Sequence, residues 1–574
     1  MKGYHRAPVW LLIFALVAFA TLAPQSAGAG PLGKGLKGAP RLSAELRRQL
    51  IALGSAGELF YQPNASVKRH IVVLPSLNFN PERMAQVKDI DKYETRTLWP
   101  LLMANSRTRI SVVTSRAVDK AVLDYYFDDL MPKSQARQWV EFYNAGDGRS
   151  LALSRKLLEQ KSGVLQELKQ RLGQSKDEAQ VLWPFITKAE EWQIAQELGI
   201  GILGPPPQQE AFFGSKTGSK YAFAKARIKQ PKGAIGLRNV EQLVEQIDKL
   251  VTNYRRQIRR SLFWQGRLDF ERAFVDATKH PEKYGIPKKA VVKVEDGAAG
   301  QGNALLSLAK LYRYGKKGRR AQIEAELRQM VFGAEHLDWS GFSRLFDRDG
   351  GIVEVFVPNV SSPSAQVMIT ADGRVRLLST HGQRFLDKEE QVYTGCYSLG
   401  KQPYLNEINR AAHRVGKVLA KAGVRGRFAI DFVVGQDHKK RWQANAIEIN
   451  LRSGGTTHPY EFARLLTKSR YDEKSGLLRR IADNQEVHYV SEDNFIDERL
   501  KTMTPAQVIA AAKATGEHYS HETMSGVALN TVETAATHGK IGFTAIGTSR
   551  AQAEKHFASF KRAFLAQLAQ HSSR

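Results

Sequence analysis

Cysteine occurs once in the 574 residues, at Cys396. One thiol excludes an intramolecular disulfide framework and leaves a cysteine-based metal site without ligands. A lone cysteine is ordinarily a small buried hydrophobe. Acidic residues are scarce beside basic ones: 57 Asp and Glu against 85 Lys and Arg leave a net charge of +28. Such a surplus favours polyanions, anionic lipid or phosphorylated ligands as partners. It is spread along the chain, as Arg255-Arg256, Arg259-Arg260, Lys316-Lys317, Arg319-Arg320 and Lys439 to Arg441. It lacks the regular aromatic interleaving of a base-stacking surface, so no specific nucleic-acid partner is expected. Beyond residue 22 no apolar run approaches the ~20 residues that span a bilayer. There are no internal repeats, no long low-complexity tract and no Walker phosphate loop: Gly214-Ser215-Lys216-Thr217 lacks the upstream glycine and the Gly-Lys step.

What is present begins with an address. Lys2, His5 and Arg6 precede an apolar run from Val9 to Leu22, and Ala27-Gly28-Ala29 offers a small-residue cleavage site. This pattern predicts a signal peptide over 1–29 and an exported, periplasmic or secreted protein. A membrane-anchored protein, or a cytoplasmic one with a misread start, is the alternative. Residues 30–65 read as a linker and short helical segment around Leu42 to Leu53. Length and composition allow roughly three or four domains of ~150 residues. Arg69 to Leu77 and Arg109 to Ser115 are buried strands flanking a helix expected over Tyr93 to Ala104, which predicts a small parallel α/β domain over 66–205. Later, Asn239 to Ile258 has its apolar residues at helical spacing, and strands are expected at Val353 to Val357, Gln366 to Thr370, Val375 to Ser379, Gly426 to Val434 and Trp442 to Leu451.

Three stretches carry chemistry. In Glu448-Ile449-Asn450-Leu451-Arg452, strand alternation sends Glu448 and Asn450 to one face. A carboxylate and an amide oxygen there suit a hard cation such as Mg²⁺. Arg452 would join them if the strand runs on, placing positive charge where phosphoryl or acyl transfer develops negative charge. Asp431, inside an apolar strand just upstream, approaches both if the two strands form a hairpin. Lys293 precedes the glycine-rich loop Gly297, Gly300, Gly302. With a second strand from Ala304 to Leu308 this makes a hairpin whose bare backbone can cover phosphates, with a lysine beneath as a point charge.

The order Lys216, Lys293 with its glycine loop, the Val353-to-Val357 strand, Asp431, and Glu448-x-Asn450-x-Arg452 resembles an ATP-grasp ligase. Leu74-Pro75-Ser76-Leu77, Tyr93-Glu94-x-Arg96, Ser379-Thr380-His381, Gly395-Cys396 and the continuation Gly454-Gly455-Thr456-Thr457-His458-Pro459 are similar to the peptide-ligase group of the pheganomycin type. The resemblance covers the chain from about residue 70 to its last helix.

It implies a pre-ATP-grasp α/β domain (66–205), an ATP-grasp fold of two α+β subdomains (206–470), and a C-terminal α+β region (471–574) completing that unit. It also implies that Lys216 and Lys293 hold the phosphates of ATP, that Gly297, Gly300 and Gly302 close over them, and that Glu354, Phe356 and Val357 line the adenine slot largely through backbone groups. Asp431, Glu448 and Asn450 would bind one or two Mg²⁺ ions, with Mn²⁺ as a substitute. Arg452 and Lys293 would be catalytic, and His381 and His458 either bind substrate, act as acid or base, or are structural. The implied activity is ATP-dependent joining of a small carboxylate and an amine, amino acids or peptides, through an acyl phosphate. The alternative is a non-catalytic nucleotide- or anion-binding protein of the cell envelope, and contact with anionic membrane or envelope polymers is a further expectation. Export and ATP dependence pull against each other, because exported compartments generally lack ATP.

Overall fold

The computed structural model describes residues 68–572 apart from 80–83, 85–86, 133, 160–162, 176, 266–268, 296–301, 334–336, 359–360, 371, 386–392 and 438–439. The Val9–Leu22 run, the linker, the helical patch near Leu42 and the loop glycines Gly297 and Gly300 lie outside the described residues. Within them, no helix is long and apolar enough to cross a membrane.

The described residues form three sheets. Strands β1 (Arg69–Leu74), β2 (Thr108–Thr114), β3 (Val140–Asn144), β4 (Ala179–Pro184) and β5 (Gly201–Ile202) make a parallel sheet in the order β3-β2-β1-β4-β5. Every residue of β1 is buried, as a strand covered on both faces must be. The parallel α/β expectation for this region is met. The helix expected over Tyr93 to Ala104 is instead two 3-10 turns, Ile90–Thr97 and Trp99–Met103. Pro100 has no N–H and disfavours the α conformation at Trp99. Thr95 and Thr97 turn their hydroxyls back onto Lys92 O and Glu94 O at 2.9 and 2.8 Å.

The second sheet is antiparallel: β6 (Gly233–Leu237), β7 (Lys289–Val294), β8 (Asn303–Ser307), β9 (Val331–Phe332) and β10 (Gly351–Val355), in the order β6-β10-β7-β8-β9. Period-two alternation in β7 buries Ala290, Val292 and Val294 against the helix Val240–Trp264 and turns Lys293 to the other face. The strand expected over Val353 to Val357 ends at Val355, and Phe356 donates one last N–H to Lys289 O at 3.0 Å. Pro358 follows and cannot donate to a ladder.

The third sheet has ten strands. It comprises β11 (Pro363–Ile369), β12 (Val375–Phe385), β13 (Tyr393–Ser398), β14 (Gly426–Gln436), β15 (Trp442–Asn450), β16 (Ser469–Asp472), β17 (Leu477–Arg480), β18 (Glu486–Ile496), β19 (Gly526–Asn530) and β20 (Lys540–Gly547). The path runs β15-β14-β11-β12-β13-β18-β17-β16, with β20 joined to β18 and β19. Residues beyond 470 thus extend the sheet begun at Pro363. One hydrophobic core also unites the parallel sheet with these late strands and the final helix, from Ile71 to Leu568. Across that junction Leu529 N–H donates to the Tyr125 hydroxyl at 2.8 Å and Asp119 N–H to Glu533 at 2.6 Å.

The helix Lys216–Ala226 bridges the second and third sheets. Ser215 caps it, accepting from Gly218 N–H at 2.9 Å. Gly218 sits so close to the preceding helix that a Cβ there would fall 1.7 Å from Phe212 O. Gly218→Ala should therefore push the two helices apart at a cost of ~1–3 kcal/mol, read as an earlier urea midpoint. An unchanged midpoint would show that this approach is not constrained.

Candidate active site

Strands β14 and β15 pair antiparallel, with Asp431 opposite Glu448 and Ala429 opposite Asn450. The register shifts by one residue between Asp431 and Phe432, leaving Ile447 as the extra residue of a bulge. The hairpin inferred from the two apolar strands is therefore present, and Asp431, Glu448 and Asn450 share one face. Asp431 accepts from Asn450 Nδ2 at 2.9 Å and from Gln383 Nε2 at 3.1 Å. Arg452 lies just past the strand end and still reaches that face: its Nη2 donates to Asn450 Oδ1 at 3.1 Å.

The electrostatics of this group are those of a crowded anionic edge. Burial and then the Glu448 charge push the Asp431 carboxyl up to about 6, against hydrogen bonds from Ser364 and Asn450 and the charge of Arg452. Burial pulls the Arg452 guanidinium down to about 10, opposed by Glu448 and Asp431, so it stays charged at neutral pH. Two carboxylates face to face repel, and a divalent cation would relieve that. The donors are all hard oxygens, so the set fits Mg²⁺ held mainly through water and phosphate. Among the described residues there is no cluster of three or more His, Cys, Asp or Glu that could hold a metal, so the amide of Asn450 is needed as the third donor. Its oxygen already accepts from Arg452 and retains a second lone pair.

Asp431, Asn450, Arg452 and the turn Gly454–Thr456 line a narrow cleft. Tyr393 forms one wall, and a Cβ on Gly455 would meet its ring at 2.5 Å, which restricts that position to glycine.

A second, cationic wall borders a neighbouring cavity lined by Lys220 and Glu354. Glu354 is clamped between Lys220 at 2.5 Å and Lys293 at 2.6 Å. Burial would raise the Glu354 carboxyl, but the two ammonium groups more than reverse this and hold it below the usual carboxylate range. Burial lowers Lys220, and the charges of Glu354 and Glu448 work against that. Lys220 is therefore the group that feels both walls. Lys216, one turn earlier, reaches Glu295 O at 3.3 Å at the entrance to the glycine loop. Thr217 fastens the same stem, donating its N–H and hydroxyl to the Glu295 carboxylate at 2.7 and 2.9 Å. On the other side of the helix Ser219 Oγ accepts from Ile449 N–H at 3.0 Å, between Glu448 and Asn450.

Sequence reasoning placed Lys216, Lys293 and Gly302 on this wall but missed Lys220. The readable signal was its spacing of four from Lys216 along one helix face. It also assigned Glu354 to the adenine slot through its backbone, whereas its side chain is the counter-ion of the lysine pair. Phe356 and Val357 continue the chain past β10, half-buried. His381 is a core residue: Tyr489 OH lies 2.6 Å from Nδ1 and Ser379 Oγ 2.7 Å from Nε2, and burial drives its pKa down to about 3. Of its three open readings, the structural one holds. His458 pairs with Asp493 at 3.0 Å, and Arg96 of the first unit takes the other carboxylate oxygen. Cys396 is buried, its thiol pushed up to about 12.

Residues 207–474 match a family model described as "IQCH-like, ATP-grasp". This stretch is an ATP-grasp domain. Beyond the ATP-grasp domain, residues 507–556 match the model "PGM1 C-terminal domain". The chain is 27% identical over 454 residues to the L-propargylglycine--L-glutamate ligase of Streptantibioticus cattleyicolor, covering 77% of this chain and 83% of that one. It is 21% identical over 451 residues to IQ motif-containing protein H of Danio rerio, covering 71% of this chain and 40% of that one. Among solved structures, N5-carboxyaminoimidazole ribonucleotide synthetase in complex with ADP aligns at a TM-score of 0.45 and 12% identity, over 88% of this chain and 98% of the other.

Removing Glu354 leaves the buried Lys220 and half-buried Lys293 ammonium groups without their shared partner. Glu354→Gln should destabilise the domain by ~3 kcal/mol, and ATP or tripolyphosphate should raise the variant's melting temperature more than the parent's. Equal shifts would contradict the clamp. The Asp431 carboxyl, higher in the folded chain than its ordinary 3.8, costs stability fully above pH about 6 and not at all below about 4. Asp431→Asn should thus stabilise the metal-free protein at about pH 7 by ~1 kcal/mol, lose that advantage in acid, and abolish stabilisation by Mg²⁺.

Proposed function

We propose that the protein is an ATP- and Mg²⁺-dependent carboxylate–amine ligase of the peptide type, acting through an acyl phosphate. The observation that carries this reading is the meeting of two charge clusters at Lys220, which feels both Glu354 and Glu448: a lysine cluster on one side, and Asp431, Glu448 and Asn450 with Arg452 on the other. A polyphosphate needs the first, its cation needs the second, and the Arg452 guanidinium beside the carboxylates suits the group being transferred.

In this reading Lys216, Lys220 and Lys293 hold the phosphates of ATP, and Gly302 belongs to the loop above them. Asp431, Glu448 and Asn450 hold Mg²⁺, which neutralises charge on the phosphate oxygens. The substrate carboxylate attacks the γ-phosphorus, forming an acyl phosphate as the bond to ADP breaks. The amine then attacks the acyl carbon, phosphate leaves with the bonding pair, and the amine gives up a proton. Arg452 stabilises the transferring phosphoryl group and then the oxyanion. The tight turn Gly454-Gly455 against Tyr393 keeps the floor of the cleft close to that guanidinium. The ligase of Streptantibioticus cattleyicolor joins two amino acids by its name, and amino acids or short peptides are the substrate class we favour here.

Purified protein with ATP, Mg²⁺ and pooled amino acids should release ADP and phosphate. Glu448→Gln should abolish release with the fold intact, Arg452→Met should lower kcat by ~10²–10³-fold, and Lys293→Met should chiefly raise KM for ATP. Absence of nucleotide binding by calorimetry, with and without Mg²⁺, would refute the ligase reading.

A further inference from the structure

The helix Val240–Trp264 buries Leu243, Ile247, Val251 and Ile258 against the second sheet. Its opposite face is solvent-exposed and carries Arg256 and Arg260. At the C-terminal end of that face Phe263 and Trp264 stand 72% and 83% exposed, their ring centroids 5.7 Å apart. Positions 256, 260 and 263–264 lie one and two turns apart, so the arginines and the aromatic pair form one surface. Scattered exposed apolar residues are ordinary, but two adjacent large rings this far out of the core are not. Arg255 and Arg259 lie over the Phe274 ring at 4.9 and 5.1 Å, tying down the next helix, Phe270–Lys279. That helix exposes Arg272, Val275 and Lys279 beside Glu271 and Asp276. From residue 255 to 280 seven basic residues stand against three acidic ones.

We infer that this helix end docks the protein onto an anionic lipid bilayer. Trp264 enters the headgroup region, where its amphipathic indole is at home, Phe263 presents its apolar ring to the acyl boundary, and Arg256 and Arg260 meet lipid phosphates. Nucleic acid fits less well, because the two rings form a single tip and do not line a groove in which successive bases could stack. The surface is also separate from the candidate active site. The helix packs on the face of β7 that carries Ala290 and Val292, and Lys293 projects from the other. Docking there leaves the cleft open.

The test is co-sedimentation of the full chain with phosphatidylcholine vesicles, with and without phosphatidylglycerol. Any retention through the apolar Val9–Leu22 run is common to all variants and to neutral vesicles, so the quantity read is the excess binding to anionic vesicles. That excess should fall roughly tenfold or more in Phe263→Ser/Trp264→Ser and in Arg256→Glu/Arg260→Glu, with melting temperature and ADP release unchanged. Emission from Trp264, taken as the difference between the parent and Trp264→Phe, should shift to the blue on anionic vesicles. No anionic excess, an excess that both double variants retain, or a DNA duplex whose binding is lost in the same variants and which displaces the vesicles would each overturn the inference.

Discussion

The site depends on holding two carboxylates against each other. Asp431 and Glu448 sit directly across a β ladder, where like charges are unfavourable, and the Asp431 carboxyl is raised first by burial and then by the Glu448 charge. Everything around the pair restrains or balances it. Gln383, Asn450 and Ser364 satisfy Asp431, the Ile447 bulge fixes the register, and Arg452 supplies charge from beyond the strand end. A fold built for stability alone would place apolar residues here. Retaining the repulsion makes sense where a cation and phosphates are expected to arrive.

The same logic governs the opposite wall with the signs reversed. Buried Lys220 and half-buried Lys293 share one carboxylate, Glu354, which leaves a net positive charge beside an anionic edge. The short helix Lys216–Ala226 is the element that couples them. It holds the glycine hairpin through Thr217 and Glu295, β15 through Ser219, and Glu354 through Lys220. Displacing this helix would alter both walls at once.

Much of this was legible in the chain. Asp431 and Glu448-x-Asn450 stand out because each polar residue interrupts an apolar strand at the alternation expected for one face. The Lys293 hairpin was readable because glycines separate two alternating strands. Lys220 was legible only through its spacing of four from Lys216, since on a helix a lysine is usually a solvated residue and its partner Glu354 is distant in sequence. The 3-10 geometry at Ile90–Met103 was hidden by helix-compatible composition, with Pro100 as the one warning. The bulge at Ile447 was invisible because it leaves the alternation of Glu448 and Asn450 intact.

The shared core of the first and last segments has a consequence for how the protein is made. Tyr125 awaits Leu529, Asp119 awaits Glu533, and Arg96 awaits Asp493. Translation must therefore pass residue 533 before the first sheet can bury its outer layer. Such long-range closure slows folding and leaves apolar surface exposed meanwhile. The parallel sheet, the first of the three to be synthesised, cannot complete its packing until those late residues are made. A ribosome-bound chain stopped before residue 490 would present it as a target for chaperones and proteases.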